Sequence, residues 1–181
     1  MEFTVIEYIL KEGNKIMGQI DDKTVFKMAG TTLKEIDSIR KYIYLLGEYQ
    51  KMNDSSVVIS RETLKEQIEN RTLEVVLAEY EEEIVGIALF YKLASGFSGK
   101  TSMFLNIFYV DEGKRFFGVG KKLIRYLSQI AIDRDYERIE WLCLDWNKPA
   151  LVFYRGIGSK EIDTVTTFRL MPDDMVELLK V

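Results

Sequence analysis

One stretch limits the architecture more than any other. Ser102–Val110 is dominated by aromatic and aliphatic residues and reads as a long strand. A charged, glycine-bearing turn follows, from Asp111 to Gly118. Gly118–Ile132 then places Leu123, Ile124, Leu127, Ile130 and Ala131 on one stripe, which is an amphipathic helix. The turn ends in Arg115-Phe116-Phe117-Gly118-Val119-Gly120, then Lys121-Lys122. Gly118 and Gly120 have no Cβ, so ligand oxygens can approach the main chain closely. Successive N–H groups at a helix start form an anion nest, strengthened by the helix dipole. Arg115 and Lys121 add positive charge. The Leu at position 123 fills the third glycine slot of a dinucleotide fingerprint, so the turn is not of that kind.

The rest of the chain builds a sheet around this unit. Thr24–Met28 is a strand candidate, preceded by two strand-like pieces, Thr4–Leu10 and Lys15–Ile20. Thr32 and Glu35 form a capping box for a helix reaching about Lys51, with Leu33, Ile36, Ile39, Ile43 and Leu46 at helical spacing. A short helix starts after Ser60 and stops near Asn70. Leu73–Tyr80 and Ile84–Lys92 form a β-hairpin around Glu81-Glu82-Glu83, a solvated acidic turn. Arg138–Leu144 is expected as a buried strand, with Cys143 a small hydrophobe inside it. Pro149 opens a helix ending near Arg155, Thr164–Leu170 is a last strand, and Pro172–Lys180 a helical tail. The fold class is therefore α/β, a mixed sheet with helices on both faces. At 181 residues one domain is expected, 21–181, with 1–20 an extension, most simply an extra hairpin.

Composition removes whole classes of chemistry. The chain has no histidine and a single cysteine, Cys143. That excludes a Ser-His-Asp triad, a Cys-His pair, His-ligated zinc, an internal disulfide and a Cys-X-X-Cys redox pair. Backbone amides, carboxylates, Tyr, Lys and Arg remain. The net charge of -4 argues against nucleic acid. Met1–Leu10 carries Glu2 and Glu7 without early Lys or Arg, so no signal peptide is expected, and the apolar run Ile84–Tyr91 is too short for a membrane helix. A cytoplasmic location is expected. A second phosphate-loop candidate, Ala94-Ser95-Gly96-Phe97-Ser98-Gly99-Lys100-Thr101, lacks the helix such a loop must open, because strand residues follow it.

About 25 residues past the glycine turn stands Asp145-Trp146-Asn147-Lys148-Pro149, then Phe153-Tyr154 on the next helix. Arg-x-x-Gly-x-Gly, a strand, Asn, and Tyr seven residues later resembles the GNAT superfamily of acyl-CoA-dependent N-acetyltransferases, and within it the diamine (spermidine/spermine) N-acetyltransferases. The resemblance runs from about Leu33 to Leu170. It includes Leu46-Gly47-Glu48-Tyr49, Ile84-Val85-Gly86 and Gly99-Lys100.

The resemblance implies the GNAT fold, in which the third long strand splays from its neighbour and acetyl-CoA lies in the gap. Phe108, Tyr109 and Val110 would meet the pantetheine arm, with the Phe108 amide as oxyanion donor. Arg115, Phe116, Phe117, Gly118, Val119, Gly120 and Lys121 would hold the pyrophosphate, and Asn147 the pantetheine. Tyr154 would be the general acid for the departing thiolate, its phenol having the higher reference pKa. Glu48, Tyr49, Asn106, Trp141 and Asp145 are the candidate acceptor-binding residues. No metal is implied, since an amine attacks the thioester directly. The partners implied are a small-molecule amine and a second copy of the chain in a homodimer, with no nucleic acid or membrane.

There is one departure from the diamine enzymes. Where they carry Glu then Asp, this chain has Asn106-Ile107, and Asn takes up no proton near neutral pH. Asp145, Glu112 and Glu48 are the candidate replacements. The rival expectations are a CoA-binding module without turnover, excluded by any saturable amine acceptor, and a nucleotide hydrolase using Lys100 and Thr101.

Overall fold

The computed structural model describes residues 23–52 and 59–180. The N-terminal extension and its two expected strands lie outside the described residues. The chain forms two compact units, one ending at Leu142 and one beginning at Cys143.

In the first unit, β1 (Thr24–Met28), β2 (Glu74–Tyr80), β3 (Glu83–Ala94), β4 (Thr101–Val110) and β5 (Ile139–Trp141) form a sheet in that spatial order. The first four strands are antiparallel, and β4 and β5 are parallel. The sheet is mixed, as expected. Helices α1 (Leu33–Tyr49) and α2 (Arg61–Glu69) bury Ile36, Ile39, Tyr42 and Leu64 against Val75, Leu77, Ile87 and Leu89. Helix α3 (Val119–Asp133) buries Leu123, Leu127 and Ala131 against Val76, Ala88, Phe90 and Met103. The two middle strands are therefore covered on both faces, which explains why β2 and β3 read as continuous apolar runs without alternation.

The local signals act where the sequence puts them. The Thr32 hydroxyl accepts from the Glu35 amide, and the Glu35 carboxylate accepts from the Thr32 amide. Ser60 caps α2. Glu81 and Glu82 form the β2–β3 turn at φ 51° and 67°. This left-handed backbone costs about 1 kcal/mol per non-glycine residue. Lys100 leads into β4 and not into a helix, so Ala94–Thr101 is a hairpin loop, as expected.

Three expectations for the region after α3 need correction. The strand over Arg138–Leu144 shrinks to three half-buried residues, because β4 leaves β5 after Leu105 and no partner continues. Cys143 consequently lies outside the strand and is half-buried, not a core residue. Thr164–Leu170 is exposed and forms no strand, since within its unit no described strand offers backbone partners. The second unit holds α4 (Lys148–Gly156) and α5 (Pro172–Leu178), and Arg155 pairs with Glu161 at 2.6 Å.

One ion pair of the first unit is partly sunk into the protein. Arg134 Nη1 donates to Glu74 Oε1 at 2.7 Å, with the Glu74 side chain 8% exposed and that of Arg134 33%. The guanidinium also lies over the Phe90 ring. Replacing Arg134 by Leu strands the Glu74 carboxylate. We expect a loss of about 2–3 kcal/mol in urea unfolding, largely restored when Glu74→Gln is added.

Candidate active site

The sheet opens where β4 changes register. Leu89 pairs with Ile107 and Phe90 with Leu105, so Asn106 is an extra residue in β4, a β-bulge, and it is exposed. The bulge reverses which face each side chain takes. Met103 and Leu105 pack on the α3 side, whereas Ile107 and Tyr109 pack on the α1 side. The same bulge ends the pairing with β5, which reaches only from Met103 to Leu105. Beyond it, β4 runs on to Val110 with no described strand beside it on that flank. Trp141 closes β5 opposite Leu105.

Gly86 allows the far end of β4 to lie this way. It pairs with Val110, and a Cβ at position 86 would stand 2.8 Å from the Tyr109 carbonyl oxygen. The chain then leaves β4 through a 3-10 helix, Glu112–Phe117, and enters α3 at Gly118, whose φ is +78°. Among the described residues no side chain caps α3. Its first N–H groups therefore form the unscreened donor end that an anion needs.

Arg115 is held within the turn by its own contacts. Its Nε donates to the Val110 carbonyl at 3.0 Å and its Nη1 to Glu112 at 3.2 Å. Its guanidinium lies 5.2 Å from the Tyr109 ring centre and 5.5 Å from that of Tyr49. Lys114 sits 4.0 Å above the Tyr80 ring. Both cations thus brace the turn.

On the α1 side of this turn is an open cleft of about 610 Å³, lined by Leu45, Glu48, Tyr49, Tyr109 and the run from Asp111 to Lys114. Glu48 and Tyr49 line it. Asn106 and Trp141 do not line it: one stands at the bulge and the other at the end of β5. Burial pushes the Tyr109 phenol up, with Arg115 pulling it back.

Two residues of this region, Tyr42 and Asp111, are not among the site residues expected from the sequence. Tyr42, only 1% exposed, points its hydroxyl at the Ile84 carbonyl and at Asp111 Oδ2, the latter 2.9 Å away. A tyrosine three residues after Ile39 on an apolar stripe is the available signal, since a buried phenol needs a polar partner.

In the second unit, Asn147 Oδ1 accepts from the Ala150 amide and so caps α4. Tyr154 lies on α4 with its ring edge-on to Phe153. Burial, then the neighbouring Cys143, holds its phenol well above the ordinary value. Asp145 is exposed.

A bulged strand parting from a parallel neighbour, followed by a glycine entry to a helix, is the arrangement that the GNAT resemblance implies. Residues 42–158 match the Acetyltransferase (GNAT) family, and the chain belongs to it. The thialysine N-epsilon-acetyltransferase of Caenorhabditis elegans is 33% identical over 129 residues, 71% of this chain and 79% of that protein. The enzyme of the same name from Sus scrofa is 30% identical over 154 residues, 78% and 89% of the two chains. An aminoglycoside acetyltransferase from an uncultured soil metagenomic sample superposes with a TM-score of 0.73 at 23% identity, covering 84% of this chain and 98% of that one. The protein is an amine N-acetyltransferase that uses acetyl-CoA.

The close approach at Gly86 gives a test. Gly86→Ala forces β4 to shift, and about 1–3 kcal/mol of stability is lost. The thermal stabilisation given by acetyl-CoA should fall by the equivalent of about a tenfold weaker affinity. Unchanged acetyl-CoA stabilisation in a folded variant would separate β4 from cofactor binding.

Proposed function

We propose that this enzyme acetylates the primary amine of a small molecule that carries a second polar or cationic group, by direct attack on the thioester. The observation that carries the reading is the bulge at Asn106, which frees one flank of β4 next to the uncapped start of α3. The reading is supported further by relatives named for thialysine, spermidine/spermine and L-ornithine acetylation.

Acetyl-CoA supplies the activated acetyl group, and each residue of this chain has a bounded task. The amides from Phe116 to Lys121 hold the pyrophosphate through the helix-start geometry, with Lys121 adding charge. The Phe108, Tyr109 and Val110 main chain meets the pantetheine, and the Phe108 N–H stabilises the developing oxyanion by about 3 kcal/mol. Asn147 contributes to the pantetheine site. The cleft at Glu48, Tyr49 and Tyr109 receives the acceptor. Tyr154 donates a proton to the leaving thiolate. Its raised phenol stays protonated through neutral and mildly alkaline pH, so it enters the step as an acid. Homodimer formation and a cytoplasmic location belong to the same reading.

Two measurements test this. A panel of diamines and basic amino acids, read by thiol release, should give saturable rates. Tyr154→Phe should lower kcat about 100-fold with acetyl-CoA affinity unchanged. Parent-rate turnover by the Phe variant at every pH would remove the acid assignment.

A further inference from the structure

A primary ammonium must lose a proton before its nitrogen can attack, because only on the order of one molecule in a thousand is neutral near pH 7. β4 offers Asn106 at its bulge, which cannot take that proton. We propose that Asp111 is the proton acceptor of this enzyme and that Tyr42 is the residue that positions it. The inference rests on the acetyl-transfer reading above.

The hydrogen-bond inventory is the main observation. Tyr42 Oη faces two acceptors, the Ile84 carbonyl oxygen and Asp111 Oδ2. A phenol has one hydrogen. With Asp111 ionised, one of these contacts is a hydrogen bond and the other sets lone pair against lone pair. A proton arriving on Asp111 completes the chain: the carboxyl donates to Tyr42 Oη, and Tyr42 donates to the Ile84 carbonyl. The arrangement has a place for one added proton. Tyr42 is not itself that place, because burial and the Asp111 carboxylate both hold its phenol in the protonated form.

The position of Asp111 agrees with this task. The bulge at Asn106 turns Ile107 and Tyr109 toward α1, and Asp111 follows on the same face. Its amide donates to the Val85 carbonyl at 2.9 Å, so its backbone is fixed. It lines the cleft. Along β4 it stands about 10 Å from Phe108, a span that the proposed transfer crosses by a short relay of water. Glu112, in the same cleft, is engaged by Arg115, and Glu48 is exposed at the end of α1.

The proton balance is simple. The ammonium gives one proton through water to Asp111, and the neutral nitrogen bonds to the thioester carbon. The C–S bond breaks, Tyr154 gives its proton to the CoA sulfur, the second nitrogen proton restores the phenol, and Asp111 returns its proton to solvent.

The experiment compares two acceptors in the full-length enzyme. One is a simple alkyl diamine, protonated at assay pH; the other is trifluoroethylamine, largely neutral there. Asp111→Asn should lower kcat about 100-fold with the diamine and less than about threefold with trifluoroethylamine, with acetyl-CoA affinity unchanged. Tyr42→Phe should show the same selectivity at smaller size, and melting curves identify any variant that fails to fold. Should Asp111→Asn be unstable, Tyr42→Phe decides by the same comparison. Equal losses on both amines, or none on either, overturn the proposal. A parent enzyme that acetylates neither amine sinks the acceptor reading and this proposal together, whereas loss of the selectivity alone sinks only this one.

Discussion

One extra residue in one strand sets most of the site's geometry. At Asn106 β4 gains a residue over β3, and every side chain after it changes face. Met103 and Leu105 anchor the α3 side, while Ile107 and Tyr109 anchor the α1 side. β3 makes no such change: Ile87 and Leu89 stay with α1, and Ala88 and Phe90 with α3. The strand therefore rotates against a fixed neighbour. Its pairing with β5 cannot survive that rotation, so the gap and the redirected side chains have one cause. A β4 without the bulge would bring Tyr109 to the α3 face and carry Asp111 away from Tyr42.

A rotated strand end needs restraint, and three contacts provide it. Gly86 lets the Tyr109 carbonyl approach β3 more closely than any side chain would allow. Tyr42 reaches from α1 to Ile84 and Asp111 and gives its one hydrogen to one of them, so helix, β3 and the start of the turn meet at one oxygen. Arg115 reaches back to the Val110 carbonyl and packs between two tyrosine rings. None of these is large alone, since a net hydrogen bond contributes about 1 kcal/mol. Together they act on three consecutive residues, from Tyr109 to Asp111, and they share no rotatable side chain. Correlated movement of that segment would have to break all three at once.

The fold was largely legible because its signals are local. The Thr32–Glu35 box, the Ser60 cap, the acidic hairpin turn and the α3 stripe each involve residues within a few positions of one another, and each element forms at its expected place. The errors cluster where an outcome depends on a remote partner. Arg138–Leu144 has strand composition throughout, yet only the part facing Leu105 and its two predecessors pairs. Thr164–Leu170 has excellent β propensity and nothing in its unit to bond with. Asp111 looked like an ordinary turn residue, because its partner Tyr42 is 69 positions away. The glycine turn and Glu48 could be singled out in the sequence. The bulge could not, since a register slip leaves no mark in a run of Phe, Leu, Asn, Ile, Phe and Tyr.

The turn after β4 also resolves an electrostatic conflict that the reaction imposes. The proposed acceptor is cationic and the cofactor anionic, and the same eight residues, Asp111–Gly118, stand between the two sites. Side-chain cations strong enough to hold a diphosphate would repel an ammonium a few ångströms away across a low-dielectric wall. Here Arg115 is matched by Glu112 at 3.2 Å, and Lys114 is drawn onto the Tyr80 ring. Their charges are locally spent, so Asp111 and Glu48 leave the cleft side negative. On the other side, the start of α3 offers partial positive charge through amide dipoles that decay within the first turn. Attraction for an anion is thereby concentrated at the start of α3, where Lys121 adds its charge, and one short segment can favour opposite charges on its two sides.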